Sequence, residues 1–190
     1  MSRRGLTREG VIDAAGTLAD EEGLGHLTLS RLAARLGVRS PSLYNHVDGL
    51  TDVCAALAAS SLRQVHAAVQ TAVAGRSGED AVLAAATAYL RYAREHPGRY
   101  AAIQRAPADG SEQAEPAAAL IELFQQVLEP WAMSPDDAIH AIRALRSAMH
   151  GFVELERIGG FGIDLSTDES YDRLVRTLVA GFGTPAHRSS

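Results

Sequence analysis

Apolar residues recur three and four positions apart almost throughout this 190-residue chain, and no segment sustains an alternation of period two. The pattern predicts helices and no sheet. A first helix starts at Thr7, a good N-cap residue, carries Val11, Ile12, Ala15, Leu18 and Ala19 on one face, and stops at Gly23. Two short helices follow near 28–35 and 40–46. A long helix starts at Asp48, with Leu50, Val53, Cys54, Leu57, Leu62, Val65 and Val69 on one side, and ends before Gly75-Arg76-Ser77-Gly78. Helices near 79–95 and 97–106 meet at His96-Pro97, where proline suits a first helical position. Residues 107–116 read as a loop. Helices near 116–130, 135–158 and 168–183 complete the chain, the last two parted by Gly159-Gly160-Phe161-Gly162. The expectation is an all-α fold of about nine helices, without internal repeats.

Composition supports helix, since alanine fills 34 positions while β-branched and aromatic residues are few. A single cysteine excludes a disulfide framework and fits a reducing cytoplasm. No apolar run reaches the length needed to cross a bilayer, and the N-terminus lacks an apolar signal core. A net charge of −5 argues against a uniformly basic coat for nucleic acid, so the distribution of charge matters more than its sum. Gly23 to Val47 contains no acid but has Arg31, Arg35, Arg39, His26 and His46; from Pro107 onward 13 acids face 6 arginines. One short segment is made acceptable to an anion.

That segment carries the chemistry. Thr28 can cap a helix that turns Leu29, Leu32, Ala33 and Leu36 inward. Gly37 stands where a tight interhelical turn needs positive φ, and Val38 packs beneath the turn. Ser40 then reads as an N-cap and Pro41 as the first residue of a second helix. This is the pattern of a helix-turn-helix, whose second helix enters the major groove of DNA. Arg39 can donate two hydrogen bonds to guanine or a charge-assisted one to phosphate. Ser40, Ser42 and Asn45 are short hydrogen-bonding groups. Tyr44 and His46 can grip the sugar-phosphate backbone, as can the amides near Thr28 and Ser40. The plain alternative is a helical hairpin with a solvated arginine face. The cap, the turn glycine, Pro41 and the missing acids together favour double-stranded DNA.

Residues 6–60 resemble the DNA-binding domain of the tetracycline-repressor (TetR) type of transcriptional regulator. The likeness rests on Thr7 through Ala15, Gly23, Leu27-Thr28, Leu32-Ala33, Leu36-Gly37-Val38 and Leu43-Tyr44-Asn45-His46. It implies that Tyr44 and His46 hold phosphates and that their helix is the recognition helix. The family's usual phosphate-binding lysine at the start of the fourth helix is replaced by Leu50, and Arg3, Arg4 and Arg8 are candidates to compensate. Residues 96–183 resemble a WHG-type C-terminal domain of that family, through His96-Pro97-Gly98-Arg99-Tyr100, Met149-His150-Gly151, Leu155-Glu156 and Gly160-Phe161-Gly162. The tryptophan common before the His-Gly pair is absent. The resemblance implies a DNA-binding domain over 1–50 and an effector-binding and dimerisation domain over 51–190. It also implies a cytoplasmic homodimer that represses transcription from a palindromic operator until a small molecule releases it.

The C-terminal residues fit that division. The last helix carries Tyr171, Leu174, Val175, Leu178, Val179 and Phe182 in a wide apolar stripe, more than a peripheral helix should expose. The helix before it offers Ile139, Ile142, Leu145, Met149, Phe152 and Val153. Ile142, Leu145, Leu174, Leu178, Val179 and Phe182 are the candidate dimer contacts, with Gly151 permitting close approach. Tyr89, Tyr92, Phe124, Trp131, Met149 and Phe152 are candidates to line a pocket for a mainly apolar effector, with Gln104, His140, His150 and Glu154 orienting it. The competing reading makes these aromatics plain core.

His150 and Glu154 share a helix face, but converging metal ligands are not evident, nor is a cofactor motif. Cys54 reads as a small buried hydrophobe. No nucleophile stands beside a partner base, so no catalytic residue is assigned. The alternatives are an activator or constitutive DNA binder without effector and, more remotely, a helical enzyme or small-molecule carrier.

Overall fold

A computed structural model describes residues 6–105, 107 and 110–183. Among these the secondary structure is entirely helical: nine α-helices and two short 3-10 turns, with no strand. The helices are α1 (Arg8–Glu22), α2 (Leu29–Leu36), α3 (Ser40–Leu43), α4 (Leu50–Val73), α5 (Gly78–Glu95), α6 (Pro97–Ala102), α7 (Ala114–Leu128), α8 (Pro135–Arg157) and α9 (Thr167–Gly181). The 3-10 turns are Leu24–His26 and Glu129–Trp131.

The local signals explain most boundaries. The Thr7 hydroxyl accepts the Gly10 N–H at 3.1 Å and opens α1. Ser134 and Ser166 cap α8 and α9 in the same way, accepting the N–H groups of Asp137 and Glu169 at 3.1 and 3.2 Å. At the far end of α8, Gly159 adopts φ 72°. The Gly160 N–H reaches Leu155 O at 2.7 Å and the Gly159 N–H reaches Glu156 O at 3.0 Å, a Schellman closure. Two expectations shift. The segment read as a loop over 107–116 already contains the start of α7 at Ala114, and regular helix in α6 ends at Ala102 rather than near 106.

The chain packs as two compact units. The first comprises the residues up to Gln64 together with Glu95–Ala117; the second comprises Val65–Arg94 together with Ala118 onward. The core of the first unit gathers Val11, Ile12, Ala15, Leu18 and Ala19 of α1, Leu32 and Ala33 of α2, Leu43 of α3, and Val53, Ala56 and Leu57 of α4. Ala102 of α6 packs against this core. The start of α6 is fastened to α1 more firmly still. Gly98 lies so near α1 that an added Cβ would stand 2.1 Å from the Ala19 carbonyl carbon. Arg99, buried beside it, donates from its backbone to Asp20 Oδ1 at 2.9 Å and from its guanidinium to Asp20 Oδ2 and to Asp13 Oδ1, the latter at 2.8 Å.

In the second unit α8 packs along α9. Arg94, near the end of α5, forks onto Glu156 of α8 at 2.8 and 2.7 Å and reaches Asp168 of α9 at 2.6 Å. This pairing holds the Glu156 carboxyl below its usual range. The buried Tyr171 hydroxyl donates to Ala86 O at 3.0 Å, and burial pushes its pKa up.

Candidate nucleic-acid interface

Helices α1, α2 and α3 form a three-helix head, and its turn follows from three residues. Gly37 adopts φ 66°, ψ 28°, the left-handed conformation that a side chain disfavours. The Gly37 N–H closes on Ala34 O at 3.1 Å and the Val38 N–H on Ala33 O at 3.0 Å, satisfying the last carbonyls of α2. Thr28 caps the same helix, its hydroxyl accepting the Arg31 N–H at 3.2 Å.

The second helix differs from its expected form. Ser40 is its first residue, and Arg39, in an extended conformation with no side-chain capping bond, takes the cap position assigned to Ser40. The reason is local: the Arg39 carbonyl accepts the Ser42 N–H at 2.9 Å, so helical bonding begins one residue earlier. Regular helix ends at Leu43 rather than near residue 46. The Leu43 carbonyl then accepts the N–H groups of both His46 (2.8 Å) and Val47 (3.0 Å), and the remainder is a bonded turn. Leu43 and Val47 are buried anchors, whereas Arg39, Pro41, Tyr44 and Asn45 are exposed and Ser40, Ser42 and His46 half-buried. Tyr44 keeps 59% of its surface in solvent, an unusual position for a tyrosine beside a core.

The arginines of this head are not equivalent. Arg31 pairs with Glu22 at 2.5 Å and Arg35 with Glu21 at 2.6 Å, both acids lying at the end of α1. The Arg35 guanidinium holds Glu21 below the usual carboxylate range. Arg8 forks onto Asp52 at 2.6 and 2.7 Å and also reaches Glu112 at 3.1 Å. Among the described residues no carboxylate pairs with Arg39. The sequence puts Arg31, Arg35 and Arg39 in a segment acceptable to an anion and Arg8 among the candidates for a phosphate contact; Arg8, Arg31 and Arg35 pair with carboxylates. Arg3 and Arg4 lie outside the described residues. Leu50, in the slot of the missing lysine, is 37% exposed.

The other candidate residues fall in the second unit. Tyr89, Tyr92, Phe124, Trp131, Met149 and Phe152 are all buried there. Phe152 sits 5.0 Å from Tyr171 and 4.7 Å from Phe161 between ring centres, and Trp131 donates its indole N–H to Gly183 O at 3.0 Å. Of the polar companions, Gln104 donates to Tyr100 O at 3.1 Å, His140 is exposed, His150 is half-buried, and Glu154 accepts from Arg157 at 2.8 Å. Of the candidate dimer contacts, Leu145 and Val179 are packed inside the unit, while Ile142, Leu174, Leu178 and Phe182 are half-buried. An added Cβ at Gly151 would meet nothing within 4 Å. Cys54 is half-buried, and burial raises its pKa. Among the described residues no three potential ligands cluster as a metal site, and no helix is long and apolar enough to cross a membrane.

Comparison with known proteins agrees with this geometry. Residues 82–178 match the family model described as tetracyclin repressor-like, C-terminal domain. The chain is 38% identical to an uncharacterized HTH-type transcriptional regulator of Mycobacterium tuberculosis over 93% of its own length and 81% of the relative's. It is 35% identical to another from Bacillus subtilis, over 94% of each. A solved TetR variant from Acinetobacter baumannii, in complex with minocycline, superposes with a TM-score of 0.71 at 23% identity, covering 94% of this chain and 97% of that one. The chain belongs to the TetR family of helix-turn-helix transcriptional regulators.

Proposed function

We propose that this regulator is a homodimeric repressor that binds a palindromic operator through Thr28, Arg39, Ser40, Pro41, Ser42, Tyr44, Asn45 and His46 and leaves it when an effector binds. The observation that carries the reading is Arg39: an exposed cation with no carboxylate partner among the described residues, at the entry to the second helix and inside a segment free of acids. A side chain so placed is free to read a guanine edge in the major groove. Exposed Tyr44 and half-buried His46, on the turn that follows, suit phosphate contacts, which position the head without reading sequence.

Residues 1–50 serve the operator and 51–190 the effector and the dimer. Two heads would sit roughly 34–36 Å apart, one turn of DNA, in the state that binds. Ile142, Leu174, Leu178 and Phe182 supply apolar edges for the dimer, with Leu145 and Val179 supporting them from beneath. An effector lodged among Tyr89, Tyr92, Phe124, Trp131, Met149 and Phe152 would be mainly apolar. It would act by favouring the state whose head spacing does not fit DNA. The regulator works by binding rather than by catalysis, and in the cytoplasm, where its DNA is.

Selection of duplexes from a random pool tests the reading. A palindromic consensus, bound by a dimer and lost as salt rises, is the expected result. Recovery of no preferred sequence would overturn it. Adding apolar compounds to the complex tests the switch: an inducer must bind the free protein more tightly than the DNA-bound one, typically by about 1–3 kcal/mol. If the chain instead raises transcription from its selected sites, it is an activator.

A further inference from the structure

Arg8 opens α1, and its guanidinium sits at the corner where the recognition segment hands over to α4. Its Nη1 lies 3.4 Å from the His46 carbonyl oxygen. Its firm partner is Asp52, in the first turn of α4, which accepts two short forked bonds and also takes the Asp48 N–H at 2.9 Å. A third group comes from elsewhere in the chain. Glu112, on the segment between α6 and α7, accepts from Arg8 Nη2 through a single, longer bond of 3.1 Å. One cation therefore faces two carboxylates beside the residues that suit phosphate contact.

We propose that Glu112 is a displaceable competitor for the DNA backbone at Arg8, occupying the place that an operator phosphate takes when the head binds. The inference rests on the reading of the 28–46 segment as a DNA interface. Asp52 is a poor candidate for displacement, because its fork and its backbone bond would both be lost. Glu112 has neither, and it and Arg8 are each more than two-fifths exposed, so water and salt weaken their pair. A phosphate can approach the same Nη2 with a charge-assisted bond and a gain from counterion release. With Glu112 seated, the corner carries excess negative charge and repels the backbone; without it, the Arg8–Asp52 pair is neutral and keeps donors for phosphate. Glu112 thereby sets how much of the electrostatic attraction reaches DNA.

The test uses the full chain, a duplex selected by the wild type from a random pool, and an unrelated duplex of equal length. Affinities are measured by fluorescence anisotropy across a range of salt. Glu112→Gln is expected to tighten both duplexes alike, by about two- to fivefold at low salt, because a phosphate contact carries no sequence information. The gain should fade as salt rises. It should vanish in an Arg8→Met background, which keeps the apolar stem, with circular dichroism reporting whether that variant is folded. Glu115→Gln, three residues away on exposed α7 surface, should give a distinctly smaller effect. The proposal is overturned if Glu112→Gln changes nothing, if its gain survives loss of the Arg8 charge, or if Glu115→Gln matches it. Should Arg8→Met fail to fold, the contrast between the two glutamate variants decides alone. A wild-type chain that selects no duplex would instead defeat the reading of the interface itself.

Discussion

Arg99 and Asp20 are joined twice: the Arg99 backbone N–H donates to one carboxylate oxygen at 2.9 Å, and its guanidinium donates to the other. The two residues lie 79 positions apart, and both are largely buried. A cation so placed needs its partners, because taking an ion out of water costs several kcal/mol that only good hydrogen bonds offset. Asp20→Ala should therefore destabilise the chain by about 3 kcal/mol. This is the lower end of the cost of stranding a buried charge, since Asp13 still holds one side of Arg99. Urea unfolding measures it, and a loss below about 1 kcal/mol would mean that the pair is not buried in solution.

The same junction makes Gly98 intolerant of a side chain. An added Cβ would stand 2.1 Å from the Ala19 carbonyl carbon and 2.5 Å from the Asp20 nitrogen, both backbone atoms that cannot rotate away. At Gly16 the obstruction is the Arg99 guanidinium at 2.6 Å, the tip of a side chain. Gly98→Ala should lower the melting temperature more than Gly16→Ala, with overpacking costs of about 1–3 kcal/mol as the scale. Equal melting temperatures would show that α6 is not seated on α1 in solution.

Arg39→Ala should weaken operator binding by about 1–3 kcal/mol and relax preference at one base pair in each half-site. Tyr44→Phe should weaken all sequences alike, as loss of a phosphate contact does. Binding-site selection with each variant separates these outcomes. An Arg39→Ala protein with unchanged affinity and preference would remove Arg39 from the interface.

For the dimer, burial separates two neighbouring positions. Leu178 is half-buried, so Leu178→Asp should leave a folded, helical monomer that binds DNA poorly. Val179 is 4% exposed, and Val179→Asp should cost the fold itself, because an unpaired carboxylate would enter the packed interior. Sedimentation and circular dichroism on both variants give the comparison. A dimeric Leu178→Asp protein would move the interface elsewhere.

Acid should reveal the Arg8–Asp52 pair. The guanidinium holds the Asp52 carboxyl at about 2, against an ordinary value of 3.8. The folded chain thus keeps this carboxylate charged where the unfolded chain has begun to protonate it. Its contribution to stability is present above pH 3.8 and is lost as pH falls from there to about 2. Asp52→Asn should flatten that part of the pH–stability curve while lowering stability at neutral pH. An unchanged acid limb would show that the pair does not persist in solution.

Local rules made much of this protein legible in its sequence. The spacing of Val11, Ile12, Ala15, Leu18 and Ala19 marks a helix face, Thr7 its start and Gly23 its stop. Gly37 declares the turn, because the left-handed conformation favours a residue without Cβ. These features act within a few residues, so their information is written contiguously. The sequence places the cap at Ser40, one residue late, because the Arg39 carbonyl already accepts the Ser42 N–H. What the tertiary structure alone decided was which charges remain available. The sequence offers Arg8, Arg31, Arg35 and Arg39 alike as candidate partners for an anion. Carboxylates 44, nine and 14 positions away pair with the first three, and among the described residues none pairs with Arg39. Likewise the pairing of Arg99 with Asp20, and the packing of 95–117 with the head, join residues far apart in sequence. Periodicity tells which face of a helix is polar. It does not tell which other helix that face will meet, and charge pairing depends on that meeting.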